Sequence, residues 1–247
     1  GGSLYIISSV FKNNKGGLAP NTLDSELLPP ERETFIIGNL IENNNNIDAP
    51  ATQATNLSLG NGVVIAGGNN NIIKNNVIAN HNLYGVIITA TADVNYWPAH
   101  GNRVESNFII NSKRADIASS GLSNLGNCFE KNYFNTSIPP GLQTLNKCDS
   151  SFYPLSADLS GMWSSLARVI QTSNGNYDQG DWRTFGAPPT QPNMPIMDEL
   201  KSLGYDKTAF PVTKIWSSVK PAVEVFSQYE HVLEQIELPK EAIKYLN

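Results

Sequence analysis

Charge is scarce in this sequence. Asp, Glu, Lys and Arg make up 16% of its 247 residues, against roughly 25% in an average globular domain. No run of Lys or Arg is available to track a phosphate backbone. A formal net charge of −5 and a pI near 5.2 likewise offer no attraction to nucleic acid or anionic lipid. No apolar stretch approaches the roughly 18–20 residues of a membrane-spanning helix, so no membrane insertion is expected. The opening Gly1-Gly2-Ser3 lacks the basic and apolar regions of a signal peptide. Cysteine is nearly missing as well, with Cys128 and Cys148 standing 20 residues apart. That spacing fits no zinc or redox motif, and no second Cys or His pair completes a metal site. The pair is either one disulfide formed in an oxidising compartment, the preferred reading, or two unrelated buried thiols.

What is abundant is Asn, with 30 in all, 26 of them before Cys148. Many belong to a repeat in which a polar residue is followed by an apolar pair position and a second polar residue. SVFKN at 9–13, NLIEN at 39–43, NVIAN at 76–80, NFIIN at 107–111 and NYFNT at 132–136 fall into one alignment. Three residues before each anchor stands an apolar residue: Ile6, Ile36, Ile73, Val104 and Phe129. The anchors are separated by 30, 37, 31 and 25 residues.

Short strands of period two would direct these apolar residues into a narrow core and their neighbours outward. Sharp bends between strands suit Asn, which tolerates left-handed backbone better than most residues. Asn39, Asn76, Asn107 and Asn132, recurring at one turn, are expected to bond to one another as a ladder that satisfies otherwise buried amides. Further strands are expected at 62–66, 84–89 and 115–118. The pattern predicts an all-β solenoid, a right-handed parallel β-helix over residues 1–148. It lacks the frame of a leucine-rich repeat or a propeller blade, while a β-sandwich stays open as an alternative.

Residues 149–247 differ in composition, with Trp163, Trp182 and a proline cluster at 188–195. They read as an irregular, partly helical extension with helices at 161–170, 198–203 and 221–236, capping the open end or docking on a partner. The direct entry of Leu4-Tyr5-Ile6-Ile7 into a strand suggests further coils stacked upstream, from the same or another chain.

NIIKNNVIAN at 71–80 and YGVII at 84–88 resemble the parallel β-helix repeats of the pectate-lyase-like superfamily. Pro29-Pro30-Glu31-Arg32, Ile65-Ala66-Gly67-Gly68, GNCFE at 126–130 and Pro139-Pro140-Gly141 are similar to uncharacterised secreted bacterial β-helix proteins. Those are often labelled by analogy with mannuronan epimerases or a periplasmic copper-associated protein. The resemblance covers about residues 1–150 and implies a secreted or cell-surface location.

In lyases and epimerases of this fold, a base removes a proton beside a carboxylate while cations or hydrogen bonds hold the developing charge. Alginate epimerases show Tyr-Gly-apolar-Asp-Pro-His; Tyr84-Gly85-Val86 matches the first half, and Ile87-Ile88-Thr89 replaces the catalytic half. The favoured reading is structural, with Tyr84 at a strand start and Gly85 at a tight bend. His100, Tyr84, Asp93 and Arg114 are the catalytic candidates that remain. His81, Tyr96, Trp97 and Asp116 are the ligand-binding ones, aromatics beside His and Asp being able to stack a sugar. Arg114 is the residue to pair a uronate carboxylate. Against that, Arg103, Glu105, Lys113, Arg114 and Asp116 read as surface ion pairs of small consequence. No cofactor is expected. Calcium stays open as an alternative at Asp93, Glu105 or Asp116, although the sequence has no dedicated acidic loop for it; Met162, Met194 and Met197 are not grouped with His as copper ligands. Asn56-Leu57-Ser58 and Asn135-Thr136-Ser137 are formal glycosylation acceptors that an Asn-rich chain produces by chance. The favoured function is a non-catalytic glycan- or protein-binding or structural module. The alternative is a lyase or C5-epimerase acting on an acidic polysaccharide.

Overall fold

The computed structural model describes residues 2–47, 58–121, 125–148, 167 and 237–246. Among the described residues the chain is mostly β-structure, as expected, and thirteen strands form three parallel sheets. Sheet A holds β1 (Gly2–Ile7), β3 (Arg32–Ile37), β6 (Ile72–Lys74), β11 (Arg103–Glu105) and β14 (Cys128–Glu130). Sheet B holds β2 (Val10–Lys12), β4 (Leu40–Glu42), β7 (Val77–Ala79) and β12 (Phe108–Ile110). Sheet C holds β5 (Val63–Ala66), β8 (Tyr84–Thr89), β13 (Ala115–Ser120) and β15 (Ser137–Ile138). The chain visits A, B and C in turn, and each strand pairs with the one met a circuit later. Where a circuit lacks a strand, the isolated bridges Leu18–Val63 and Phe108–Tyr133 keep the alignment.

The apolar residues that precede the anchors stand in one register. Ile6 lies beside Ile36, Ile36 beside Ile73, Ile73 beside Val104, and Val104 beside Phe129. They meet Ile41, Ile78 and Ile109 of sheet B and Val63, Val86, Ile88 and Ile117 of sheet C in one buried cluster. Burying each such side chain stabilises by about 1.5–3 kcal/mol, and no single circuit could enclose them.

The turns explain the Asn content. Between sheets A and B, the residue with left-handed backbone is the one before each anchor: Ser8, Gly38, Asn75, Ser106 and Lys131. The anchor Asn itself forms the ladder. Asn39 Oδ1 accepts from the backbone N of Ser9 at 2.9 Å. Asn76 Oδ1 does the same for Asn39, Asn107 for Asn76, and Asn132 for Asn107, each at 2.9–3.0 Å. Each Nδ2 reaches back to a carbonyl of the preceding circuit, as Asn76 does to Ile36 at 2.8 Å. A second ladder runs beside it. Asn71 Oδ1 accepts from Thr34 N at 2.7 Å, Asn102 from Asn71 and Asn127 from Asn102 at 3.0 Å.

Cys128 and Cys148 are disulfide-bonded with Cα atoms 4.7 Å apart, as the preferred reading expected. The bond holds the short helix α1 (Leu142–Leu145) at the far end, where Leu142 joins the core. Of the extension, 167 and 237–246 are described, and 237–246 lies on the outward side of sheet B through Ala242. The helices expected at 161–170, 198–203 and 221–236 lie outside the described residues, apart from Ala167, which is helical. Among the described residues no helix is long and apolar enough to cross a membrane.

Candidate functional site

The corner between sheets B and C carries two of the residues singled out for ligand binding. Strand register places Asn14, Asn44, His81 and Ser112 at the same point of successive circuits. Asn44 Nδ2 donates to the carbonyl of Phe11 at 3.1 Å. One circuit on, His81 Nε2 lies 3.2 Å from the carbonyl of Ile41, the residue in register with Phe11. A carbonyl only accepts, so Nε2 carries the hydrogen and His81 takes over the donor half of the role of Asn44, whose Oδ1 also accepts from the backbone N of Asn14 at 3.0 Å. Its ring is 1% exposed, and burial pulls its pKa down to about 4.

Asp116, also 1% exposed, begins the next circuit of the same corner. Its Oδ1 accepts from the backbone N of Ser112 at 3.0 Å, and its Oδ2 from those of Asn135 at 2.9 Å and Thr136 at 3.1 Å. Three amide donors fill the carboxylate that was expected to face a ligand. Gly85 lies inside β8 and not at a bend. A Cβ there would press on the Asp116 carbonyl and on Ile109, so glycine is required by a close backbone approach.

His100 belongs to the turn of the second ladder and is 5% exposed. Its backbone N donates to Asn69 Oδ1 at 2.8 Å, and its Nδ1 accepts from the backbone N of Leu125 at 3.0 Å. Burial lowers its pKa, against the bond from the Leu125 backbone, which raises it. Tyr84 and Arg114 do come together: the guanidinium carbon lies 5.3 Å from the ring centroid, with Tyr84 buried and Arg114 exposed.

Residues 91–97 form an antiparallel ribbon of β9 (Thr91–Ala92) and β10 (Tyr96–Trp97). Asp93 lies at its tip and accepts from the backbone N of Asp24 at 2.9 Å. Asp24 in turn accepts from both the backbone and the side chain of Asn95. Burial is the largest single influence on the Asp24 carboxyl and raises it, but the bonds from Asn95, with those from Trp97 and the backbone of Val94, together outweigh it and leave the pKa lowered. Tyr96 is exposed and Trp97 is buried against Gly67.

Arg103 and Glu105, expected on the surface, are 8% and 5% exposed. Arg103 Nε bonds Glu105 Oε2 at 2.8 Å, and Lys74 Nζ lies 3.6 Å from Glu105 Oε1. Sequence reasoning missed Glu31. Its Oε1 accepts from Thr34 Oγ1 at 2.6 Å and its Oε2 from Asn71 Nδ2 at 2.9 Å, ending the second ladder. Burial raises its pKa. Among the described residues, no three His, Cys, Asp or Glu side chains gather as a metal-holding group. Comparison with family models, curated proteins and solved structures finds no match for this chain.

Proposed function

We propose that the three-sheet array is a right-handed parallel β-helix of the pectate-lyase-like kind, serving as a non-catalytic module of a secreted or cell-surface protein. In this reading it holds a glycan or a protein partner on its outer faces, and upstream coils stack on β1 and β2. The observation that carries it is Asp116, whose carboxylate is filled by the amides of Ser112, Asn135 and Thr136. His81 and His100 support it in the same way, each bonded to the backbone of the scaffold. A proton-abstracting site needs groups free to meet substrate, and these three are engaged in holding turns. The disulfide supports an oxidising compartment.

The lyase or epimerase reading rests on the Arg114–Tyr84 pair, an exposed cation beside a phenol. Incubation with alginate and pectate, followed at the absorbance of unsaturated products and by NMR for C5 inversion, separates the two. No turnover is expected. Turnover lost on Arg114→Ala would establish the enzymatic reading instead.

A further inference from the structure

Side chains alternate along each strand of sheet A. Ile36, Ile73, Val104 and Phe129 enter the core, so Phe35, Ile37, Ile72, Arg103, Glu105 and Cys128 point outward. On a bare solenoid such side chains meet water, yet Phe35 is 0%, Ile37 1% and Ile72 2% exposed. Outward position alone does not bury them, because Tyr5, beside Phe35 in the same column, is 38% exposed. On sheet B the outward Leu40 and Val77 are buried for a reason: Ala242 of the 3-10 helix Lys240–Tyr245 packs on them. Among the described residues, the apolar clusters of the core, of sheet C and under Ala242 contain none of Phe35, Ile37 and Ile72.

The stretch 149–236 is fixed at both ends beside this face. Register places Phe35 beside Ile72, Ile72 beside Arg103 and Arg103 beside Cys128, in one outward column. Cys148 is bonded to Cys128, so the stretch starts from the far end of that column. It ends at Glu237, whose carbonyl accepts from Ser8 Oγ at 2.7 Å, just past β1 at the opposite edge of the sheet. Lys244 Nζ secures the segment that follows by donating to both oxygens of Glu42, at 2.7 and 2.9 Å. Between the two anchor points lies the width of sheet A, about 19 Å at roughly 4.8 Å per strand spacing. The stretch has to make that crossing. It holds Trp163, Trp182 and Trp216, side chains with much apolar area to bury. The end of the solenoid does not need it, since Leu142 and Gln143 already close the core and the first ladder there.

We propose that the outward face of sheet A, centred on Phe35, Ile37 and Ile72, is the docking surface for residues 149–236 of the same chain. The extension then lies along the flank of the solenoid, and neither over its open end nor on a partner. It also keeps water from the Arg103–Glu105 pair, and it narrows the outer faces left to any ligand. The inference holds whether or not the module binds a glycan.

Photo-cross-linking in the full chain tests it. The side chain of Lys74 is 17% exposed at the rim of this face. p-Benzoylphenylalanine in its place is expected to join to residues 149–236 in a product with the 26.9 kDa mass of one chain. The same group in place of Val94, which is 86% exposed, is expected to give at least tenfold less of that product. Ile72→Glu supplies a second reading, because its side chain points away from the core. The amides of Asn76 and Asn107 in the first ladder are expected to keep their protection from hydrogen exchange. Protease cleavage within 149–236 is expected to rise at least tenfold. Cross-links that fall in a second copy, equal yields from positions 74 and 94, or cleavage unchanged by Ile72→Glu would each overturn the proposal.

Discussion

Gln143 Oε1 lies 2.9 Å from both the backbone nitrogen and the Nδ2 of Asn132, and Gln143 Nε2 donates back to the Asn132 carbonyl at 3.3 Å. A ladder in which each Asn receives its acceptor from the next circuit leaves its last member unmatched, and α1 supplies a longer amide to fill the place. Leu142 fixes that amide by entering the core beside it.

Gln143→Ala is therefore expected to leave two donors of Asn132 without their partner and to destabilise the fold by about 1–3 kcal/mol. Urea unfolding measures it. An unchanged midpoint would mean that the ladder does not need a terminator.

His81 makes stability depend on pH. An unfolded His titrates near 6.5, whereas His81 in the fold titrates near about 4 because it is buried. Between those values the unfolded chain binds a proton that the folded chain refuses. Stability therefore falls as pH drops through that window, by on the order of 3 kcal/mol. Glu31 acts in the opposite sense: burial raises its pKa, so the folded chain protonates first and gains stability as pH falls. His81→Asn installs the residue that Asn44 already uses one circuit earlier, and is expected to remove the His part of the slope. Thermal midpoints of both chains from pH about 7 to about 4.5 decide it; parallel curves would contradict the assignment.

Much of this scaffold was legible because a stacked fold writes its register into spacing. Ile6, Ile36, Ile73, Val104 and Phe129, each three residues before an anchor, stand side by side in sheet A. The second ladder had the same signal, since Asn71, Asn102 and Asn127 each precede an anchor by five residues. It was hidden among Asn residues that serve as left-handed turns, such as Asn75, Asn80 and Asn111. Gln143 was not legible, because it reaches the ladder from a helix outside the repeat. Asp116 and His81 stood out in the sequence for a different reason. A carboxylate and an imidazole look reactive there, and their burial with backbone partners depends on contacts between circuits that the sequence does not spell out.

The Cys128–Cys148 bond closes a loop with a sequence separation of 20. By the chain-entropy argument it contributes about 3 kcal/mol. It also secures α1 and hence Gln143 at the ladder's end. Reduction is expected to lower the melting temperature, and to lower it less in Gln143→Ala, where the terminator is already lost. Equal losses in the two backgrounds would separate the bond from the ladder.

The claim that the reactive-looking side chains belong to the scaffold is tested most directly at Asp116. Asp116→Asn replaces an acceptor oxygen by a donor and leaves at least one buried amide unmatched, at about 1–3 kcal/mol. Melting temperature and uronan turnover are to be measured on the same samples of both chains. The account predicts a variant that melts several degrees lower, about 2–4 °C per kcal/mol, with no turnover in either sample. Equal melting temperatures with turnover present in the parent chain and lost in the variant would contradict it.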